Sequence, residues 1–369
     1  MRTIRILMLV YRLDLGGTEN YMINLARALR PLGVQVGIAT SGGPLVGRCR
    51  RQGIPVHLIP GFTSVTAAAT AARLSRLVAS RGYQIVHAND TYSFSVAAAL
   101  YRRRKIPVVM TLHGRFHGLP PVRKAAGIAR RIIAVTPNLS AWVRTLGLPA
   151  HKCVRIPVGI RTDVFRPRDK TACRRKLGLP LSGRLLAYAS RFGVDKYPIA
   201  RKVIQASERI AKISPKFTAV LAGPGIYRKR LSGLAAAANR RIGRRAIIVR
   251  PPIMDIWHLY GAANAVVGTG TVANEAMACG KPLIAAGTQS YFGIVRKSNA
   301  AAAMWNQFGD HGGKRQVTAA QMARDIKRVL NAPAWSASLG RKGRNMTVRR
   351  FSVRNVALRI RDVYRSCLR

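Results

Sequence analysis

Acidic side chains are scarce in this sequence: 12 Asp and Glu stand against 64 Lys and Arg in 369 residues, a formal net charge of +52. No paired-carboxylate or His-x-x-x-His spacing suggests a metal site. Cysteine is sparse too. Cys49, Cys153, Cys173, Cys279 and Cys367 are an odd, scattered set without a Cys-x-x-Cys pair, which argues against a disulfide framework or a zinc site and fits a reducing cytoplasm. No apolar run approaches the roughly 18 residues of a membrane-spanning helix. The opening Met1–Val10 has a basic end but too short an apolar stretch, and no small-residue cleavage site, to be a secretory leader; it reads as a first strand. There is no Gly-x-x-x-x-Gly-Lys-Ser/Thr loop and no Gly-x-Gly-x-x-Gly fingerprint, which speaks against an ATPase or a dehydrogenase.

What is abundant is positive charge, in both halves of the chain. A charge of this size promotes binding to anionic membranes or nucleic acids and does not by itself choose between them. The clusters Arg102–Lys105, Arg228–Arg230 and Arg240–Arg245 lack the interleaved aromatics of a nucleic-acid stacking surface. A solvated basic face accounts for them, and nucleic acid is disfavoured as a partner. Arg123 and Lys124, with Arg130 and Arg131, lie on an expected short helix and are candidates for contact with an anionic membrane surface.

The length exceeds what one hydrophobic core usually covers, so two domains are expected. Short β-rich apolar runs alternate with helix-patterned stretches, the pattern of an α/β fold with doubly wound parallel sheets. Strands are expected at 4–10, 34–40, 56–59, 85–87, 108–112, 132–135 and 154–157. After the charged, proline-containing stretch Asp163–Arg168 the alternation resumes, with strands at 185–189, 218–222, 246–249, 265–267 and 282–286. The expected division is 1–168 for an N-terminal Rossmann-like domain and 169–350 for a C-terminal one. An amphipathic helix at 351–369 is expected to pack back on the first. Two such halves in tandem imply a cleft between them.

In open parallel sheets, ligands bind beyond the carboxyl ends of the strands. Glycine turns follow expected strands at Gly16-Gly17, Gly223-Pro-Gly225 and Gly268-Thr269-Gly270. Each either brings backbone amides to a phosphate or is an ordinary strand-to-helix turn. The first leads into a helix expected from Thr18, with Thr18 as its cap. Glu275 follows the third turn near a helix start, where a carboxylate is favoured and can accept from vicinal hydroxyls; a charge partner for the helix N-terminus is the alternative. Arg191 and Lys196 follow the strand at 185–189. Two cations there can hold a diphosphate and stabilise it as it leaves, although a surface Arg/Lys pair is the usual case. His113, after the strand at 108–112, is either a hydrogen-bonding or proton-exchanging group in the cleft or a satisfied structural histidine.

With these residues in place, the chain resembles the retaining glycosyltransferases of family 4, the bacterial group 1 enzymes of lipopolysaccharide, capsule and glycolipid synthesis. The resemblance runs along nearly the whole length. It rests on Gly16-Gly-Thr-Glu19, Thr111-Leu-His-Gly114, Ile133-Ala-Val-Thr-Pro137, Ile156–Pro167, Ser190-Arg191 with Asp195-Lys196, Ala222-Gly-Pro-Gly225 and Glu275–Pro282, in this order. The resemblance implies a GT-B fold and a nucleoside-diphosphate sugar donor. Arg191 and Lys196 would bind the diphosphate, Glu275 the ribose, and His113 would lie near the transferred sugar. The turns at Gly16, Gly17, Gly223, Gly225, Gly268, Thr269 and Gly270 would line the nucleotide, and no metal or other cofactor is implied. A glycan or lipid-linked molecule would be the acceptor, and the enzyme would be cytoplasmic, with peripheral contact at the membrane. Two departures stand out. The family's second glutamate, eight positions before Glu275, is Val267 here, and its Asn-Gly-Ile-Asp run reads Val158-Gly-Ile-Arg161. Two other readings compete: a non-catalytic anion or nucleic-acid binder on the same scaffold, and a nucleotide-sugar epimerase. Donor, acceptor and oligomeric state are not legible.

Overall fold

The computed structural model describes residues 3–313 and 316–369; Met1 and Arg2, the start of the expected first domain, lie outside them. The chain divides into two compact units, Met1–Gly159 with Phe351–Arg369, and Ile160–Arg350. The boundary falls before the Asp163–Arg168 stretch. Phe165 explains this, because its ring lies edge-on to Trp257, 6.0 Å between centroids, and 6.2 Å from Tyr260, both in the second unit.

The first unit is built on seven parallel strands: β1 (Ile4–Leu9), β2 (Val34–Thr40), β3 (Val56–Leu58), β4 (Ile85–Ala88), β5 (Val108–Leu112), β6 (Arg131–Ala134) and β7 (Cys153–Arg155). Their order is β3-β2-β1-β4-β5-β6-β7. Continuous apolar runs form these strands because both faces of the sheet are covered. In β1, Leu7 and Leu9 enter one core cluster while Ile6 and Met8 enter the other. The terminal helix Val353–Leu368 covers the second cluster with Val356, Ala357, Ile360, Val363, Tyr364 and Cys367. Full burial stabilises by about 1.5–3 kcal/mol per large apolar side chain, so this helix is firmly held. Beneath it, His87 Nδ1 lies 2.7 Å from the Tyr364 hydroxyl and His87 Nε2 lies 2.7 Å from Thr111 Oγ1.

The second unit holds β8 (Arg184–Ala189), β9 (Phe217–Ala222), β10 (Ile247–Arg250), β11 (Ala265–Gly268), β12 (Leu283–Ala286) and β13 (Tyr291–Ile294), in the order β10-β9-β8-β11-β12-β13. All pair in parallel except β13, which joins β12 antiparallel and is the strand the sequence reading missed. Its four residues include Gly293 at φ +66°, so no β-rich run announces it. This unit also buries Arg174, whose guanidinium donates to the carbonyls of Leu181, Gly183 and Ala262 and to Asn264 Oδ1. Backbone carbonyls there do the work of the scarce carboxylates. No described helix is long and apolar enough to cross a membrane.

Candidate active site

The order of the second sheet reverses between β8 and β11, the place where doubly wound sheets open a crevice at their carboxyl ends. The turn after β8 carries Arg191 and Lys196, and the turn after β11 carries Gly268, Thr269 and Gly270. The fold therefore brings these residues to one switch point. Arg191 is largely exposed, 3.6 Å from Asp195. Lys196 is mostly enclosed, with 14% of its side-chain surface exposed. Its Nζ donates to Asp310 Oδ1 and, at 3.0 Å, to Thr288 Oγ1.

Thr269 is the N-cap of the helix Gly270–Ala278, yet its side chain does not cap it. Its hydroxyl faces the carbonyls of Gln307 and Phe308, each at 3.1 Å. A side-chain acceptor normally engages the first N–H groups of a helix. Here the threonine is directed elsewhere and does not cap those amides. The segment that Thr269 holds is strained. Gln307 and Phe308 have φ of 49° and 58°, in the left-handed region, ahead of Gly309 at 108°. Each non-glycine residue in that region costs about 1–2 kcal/mol. Burial of the Phe308 ring, 1% exposed, offsets most of this. The result is delivery of Asp310 to Lys196.

Gly223 and Gly225 are required by packing. A Cβ on Gly223 would lie 1.7 Å from the Ser190 carbonyl oxygen, and one on Gly225, at φ +134°, 2.4 Å from that of Phe192. The turn after β9 thus lies directly on the turn that bears Arg191, and Phe192 N donates to Pro224 O at 2.6 Å. Gly270 is at φ +56°, and a Cβ there would face Asp310 Oδ2 at 3.3 Å.

Glu275 departs from expectation. It lies in the second turn of its helix, past the first turn where the N-terminal dipole favours a carboxylate. The Tyr260 hydroxyl donates to its Oε2 at 3.2 Å. Burial raises the carboxyl to about 8, with the tyrosine bond working weakly the other way. At neutral pH the group is therefore largely protonated. Val267, in β11, is fully buried in the sheet core and presents nothing to the switch point. Thr288, Tyr260 and the Gln307–Gly309 turn were absent from the sequence reading, and Asp310 had no role in it. Asp310 had one signal, its place among twelve acids.

In the first unit, Gly16 caps the helix Gly17–Leu29 in place of the expected Thr18, with no side-chain cap. Its carbonyl accepts from Asn20 N at 3.2 Å and Asn20 Nδ2 at 2.8 Å. His113, after β5, is buried, its ring edge-on to Tyr21 at 5.0 Å. His117 stands behind it, its Nε2 3.4 Å from His113 N, and burial lowers its imidazole to about 4. Past this turn Phe116 is 73% exposed, and Leu119, Arg123 and Lys124 are exposed on the helix Leu119–Ile128. Arg130 is exposed and Arg131 half-buried at the start of β6.

Residues 15–164 match the family model described as Glycosyltransferase Family 4, and residues 169–346 match that of the Glycosyl transferases group 1. The two leave only four residues between them. A D-inositol 3-phosphate glycosyltransferase of Catenulispora acidiphila is 28% identical, the match covering 74% of this chain and 75% of that protein. The fold is similar to that of Anabaena HepE in complex with UDP-glucose, at a TM-score of 0.78 and 20% identity over 98% of this chain and all of the other. It is also similar to the UDP-GlcNAc 2-epimerase of Neisseria meningitidis bound to UDP-GlcNAc, at 0.65 and 12%, over 98% of this chain and all of that one. The fold alone therefore does not separate transferase from epimerase. The paired family models do.

Proposed function

This chain belongs to glycosyltransferase family 4, the group 1 glycosyl transferases, and on that basis we propose that it moves a sugar from a nucleoside-diphosphate sugar to a glycan or lipid-linked acceptor. The reaction retains configuration at the transferred carbon and serves cell-envelope or polysaccharide synthesis in the cytoplasm. One observation carries this reading: two cations, Arg191 and Lys196, follow β8, which lies beside β11, and the helix after β11 starts with no side-chain cap. As the bond from the sugar to the diphosphate breaks, negative charge grows on the leaving oxygens. The cations and the amides of Gly270–Ala278 stabilise that charge without reorganising, which is where most of the rate arises. They supply the positive charge that other transferases draw from a metal. Glu275 is assigned to the ribose, whose hydroxyls favour its ionised form. His113, Gly16 and Gly17 keep the roles beside sugar and phosphate that the resemblance implies.

The test is donor turnover. Arg191→Ala and Lys196→Ala should each lower it by about 10²–10³-fold. Arg191→Ala is the cleaner arm, since its exposed side chain carries little of the fold and the thermal melt should not move. Lys196→Ala also strips Asp310 of its partner, so a lower melt is expected there. Near-normal turnover in both variants would sink the assignment.

The acceptor reading extends to the membrane. Phe116 and Leu119 are exposed, and so are Arg123 and Lys124 on the helix Leu119–Ile128, a mixture of apolar and cationic side chains of the kind that lies on anionic headgroups. Sedimentation with phosphatidylglycerol vesicles, but not with phosphatidylcholine ones, is expected, and Phe116→Ser with Arg123→Glu should release the protein. Equal sedimentation of the wild type and this double variant would remove the membrane contact from the reading.

A further inference from the structure

Asp310 presents a problem that diphosphate binding leaves unsolved, because a carboxylate beside the phosphate-binding lysine repels the phosphate. Its two oxygens are in different situations. Every hydrogen bond that the described residues give Asp310 falls on Oδ1: from Lys196 Nζ, from Thr288 N at 3.3 Å and from Thr288 Oγ1 at 3.4 Å. Oδ2 points instead toward the start of the helix Gly270–Ala278, within 3.3 Å of where a Cβ on Gly270 would sit. That helix start is the end of the crevice left open by Thr269. Gln307 closes in from the same strained turn, its amide nitrogen 3.8 Å from the same Gly270 position and its Oε1 buried with no hydrogen-bond partner among the described residues.

A carboxylate oxygen only accepts, so its partner must donate. Phosphate oxygens do not donate at neutral pH. The hydroxyl groups of a sugar attached to the diphosphate do, and they extend past the phosphates that Lys196 holds. We propose that Asp310 is a specificity-determining residue for the donor sugar: Oδ1 fixes Lys196, and Oδ2 accepts a hydrogen bond from a hydroxyl of the transferred sugar. This rests on the nucleotide-sugar reading of the β8/β11 switch point. It accounts for the strained Gln307–Gly309 turn, which is the means of bringing this carboxylate into a cationic crevice.

The experiment compares each nucleoside diphosphate with its sugar conjugate. UDP, UDP-glucose, GDP and GDP-mannose are titrated by calorimetry into the wild type, Asp310→Asn and Asp310→Glu, with a thermal melt of each protein. A hydrogen bond to a charged acceptor implies a loss of about 10–100-fold in the affinity of the sugar conjugate relative to its free diphosphate in Asp310→Asn. Asp310→Glu keeps the charge for Lys196 and moves the oxygen by one methylene. It should lower the same ratio with an unchanged melt, and it supplies the readout if Asp310→Asn fails to fold. If both variants change diphosphate and conjugate equally, Asp310 is only a tether for Lys196 and the proposal falls while the nucleotide site stands. If the wild type binds none of the four probes, the underlying reading falls with it.

Discussion

Each sheet reverses its strand order between its first strand and its fourth: β1 beside β4 in the first unit, β8 beside β11 in the second. The residues that follow the fourth strands use the same position in opposite ways. After β4, Asp90 accepts from Ser93 N at 2.7 Å, completes a capping box on the helix Thr91–Arg104, and takes Tyr11 N from the turn after β1 at 2.5 Å. There the protein spends its own carboxylate on a helix cap and on the turn after β1. After β11, Thr269 gives its hydroxyl to a neighbouring turn and leaves its helix uncapped. At one switch point the residue after the fourth strand caps its own helix, and at the other it does not. Strand order says where a crevice forms, and the polar residue at its mouth says whether it is available.

The pH response puts opposite signs on two buried groups, one in each unit. Glu275, raised to about 8, stays protonated in the folded state after the unfolded chain has ionised near 4.5. The folded state then binds more protons, so this group lowers stability as pH rises from 4.5 to 8. Glu275→Gln keeps an acceptor for Tyr260 and removes that penalty. In urea titrations its gain over the wild type should be larger at pH 8 than at pH 5 by about 2–4 kcal/mol. His87, which burial lowers to about 3, stays neutral while the unfolded chain takes up a proton below 6.5. It contributes stability that is lost as pH falls from 6.5 toward 3. His87→Gln should therefore compare better with the wild type at pH 5 than at pH 7.5, by about 2 kcal/mol. A pH-independent difference in either variant would show that the group does not titrate as its burial implies.

The caps separate the two crevices more finely. Asp90→Ala removes a cap and leaves Tyr11 N without an acceptor, a loss of about 2 kcal/mol, while nucleoside-diphosphate affinity stays within about twofold. Thr269→Val caps nothing less than before, so stability should fall by no more than about 1 kcal/mol. It frees the Gln307–Gly309 turn, however, and binding of the sugar conjugate should weaken. Calorimetric melts and titrations on both variants check the pair. If Asp90→Ala weakened nucleotide binding as much as Thr269→Val, the distinction between the two crevices would be lost.

Much of this was legible in the chain itself. Twelve strands fall within about two residues of where their apolar runs place them, because strands covered on both faces must be continuously apolar. β13 escaped because it is a short antiparallel edge containing glycine. The cations at 191 and 196 were legible through their position after a strand. Asp310 was not, since it meets Lys196 across 114 residues of sequence and is delivered by a turn whose backbone no local pattern foretells.

By itself, the sequence determined the alternation of strands and helices, the glycine turns at the strand ends and the family they resemble, because each is written in neighbouring residues. Only the tertiary structure decided that burial raises the Glu275 carboxyl, that Gly223 and Gly225 serve the packing of the Arg191 turn, and that Lys196 is paired with Asp310. Those outcomes depend on burial and on contacts between distant segments. Charge state and partner choice follow the local dielectric and the available neighbours, which exist only once the chain has folded.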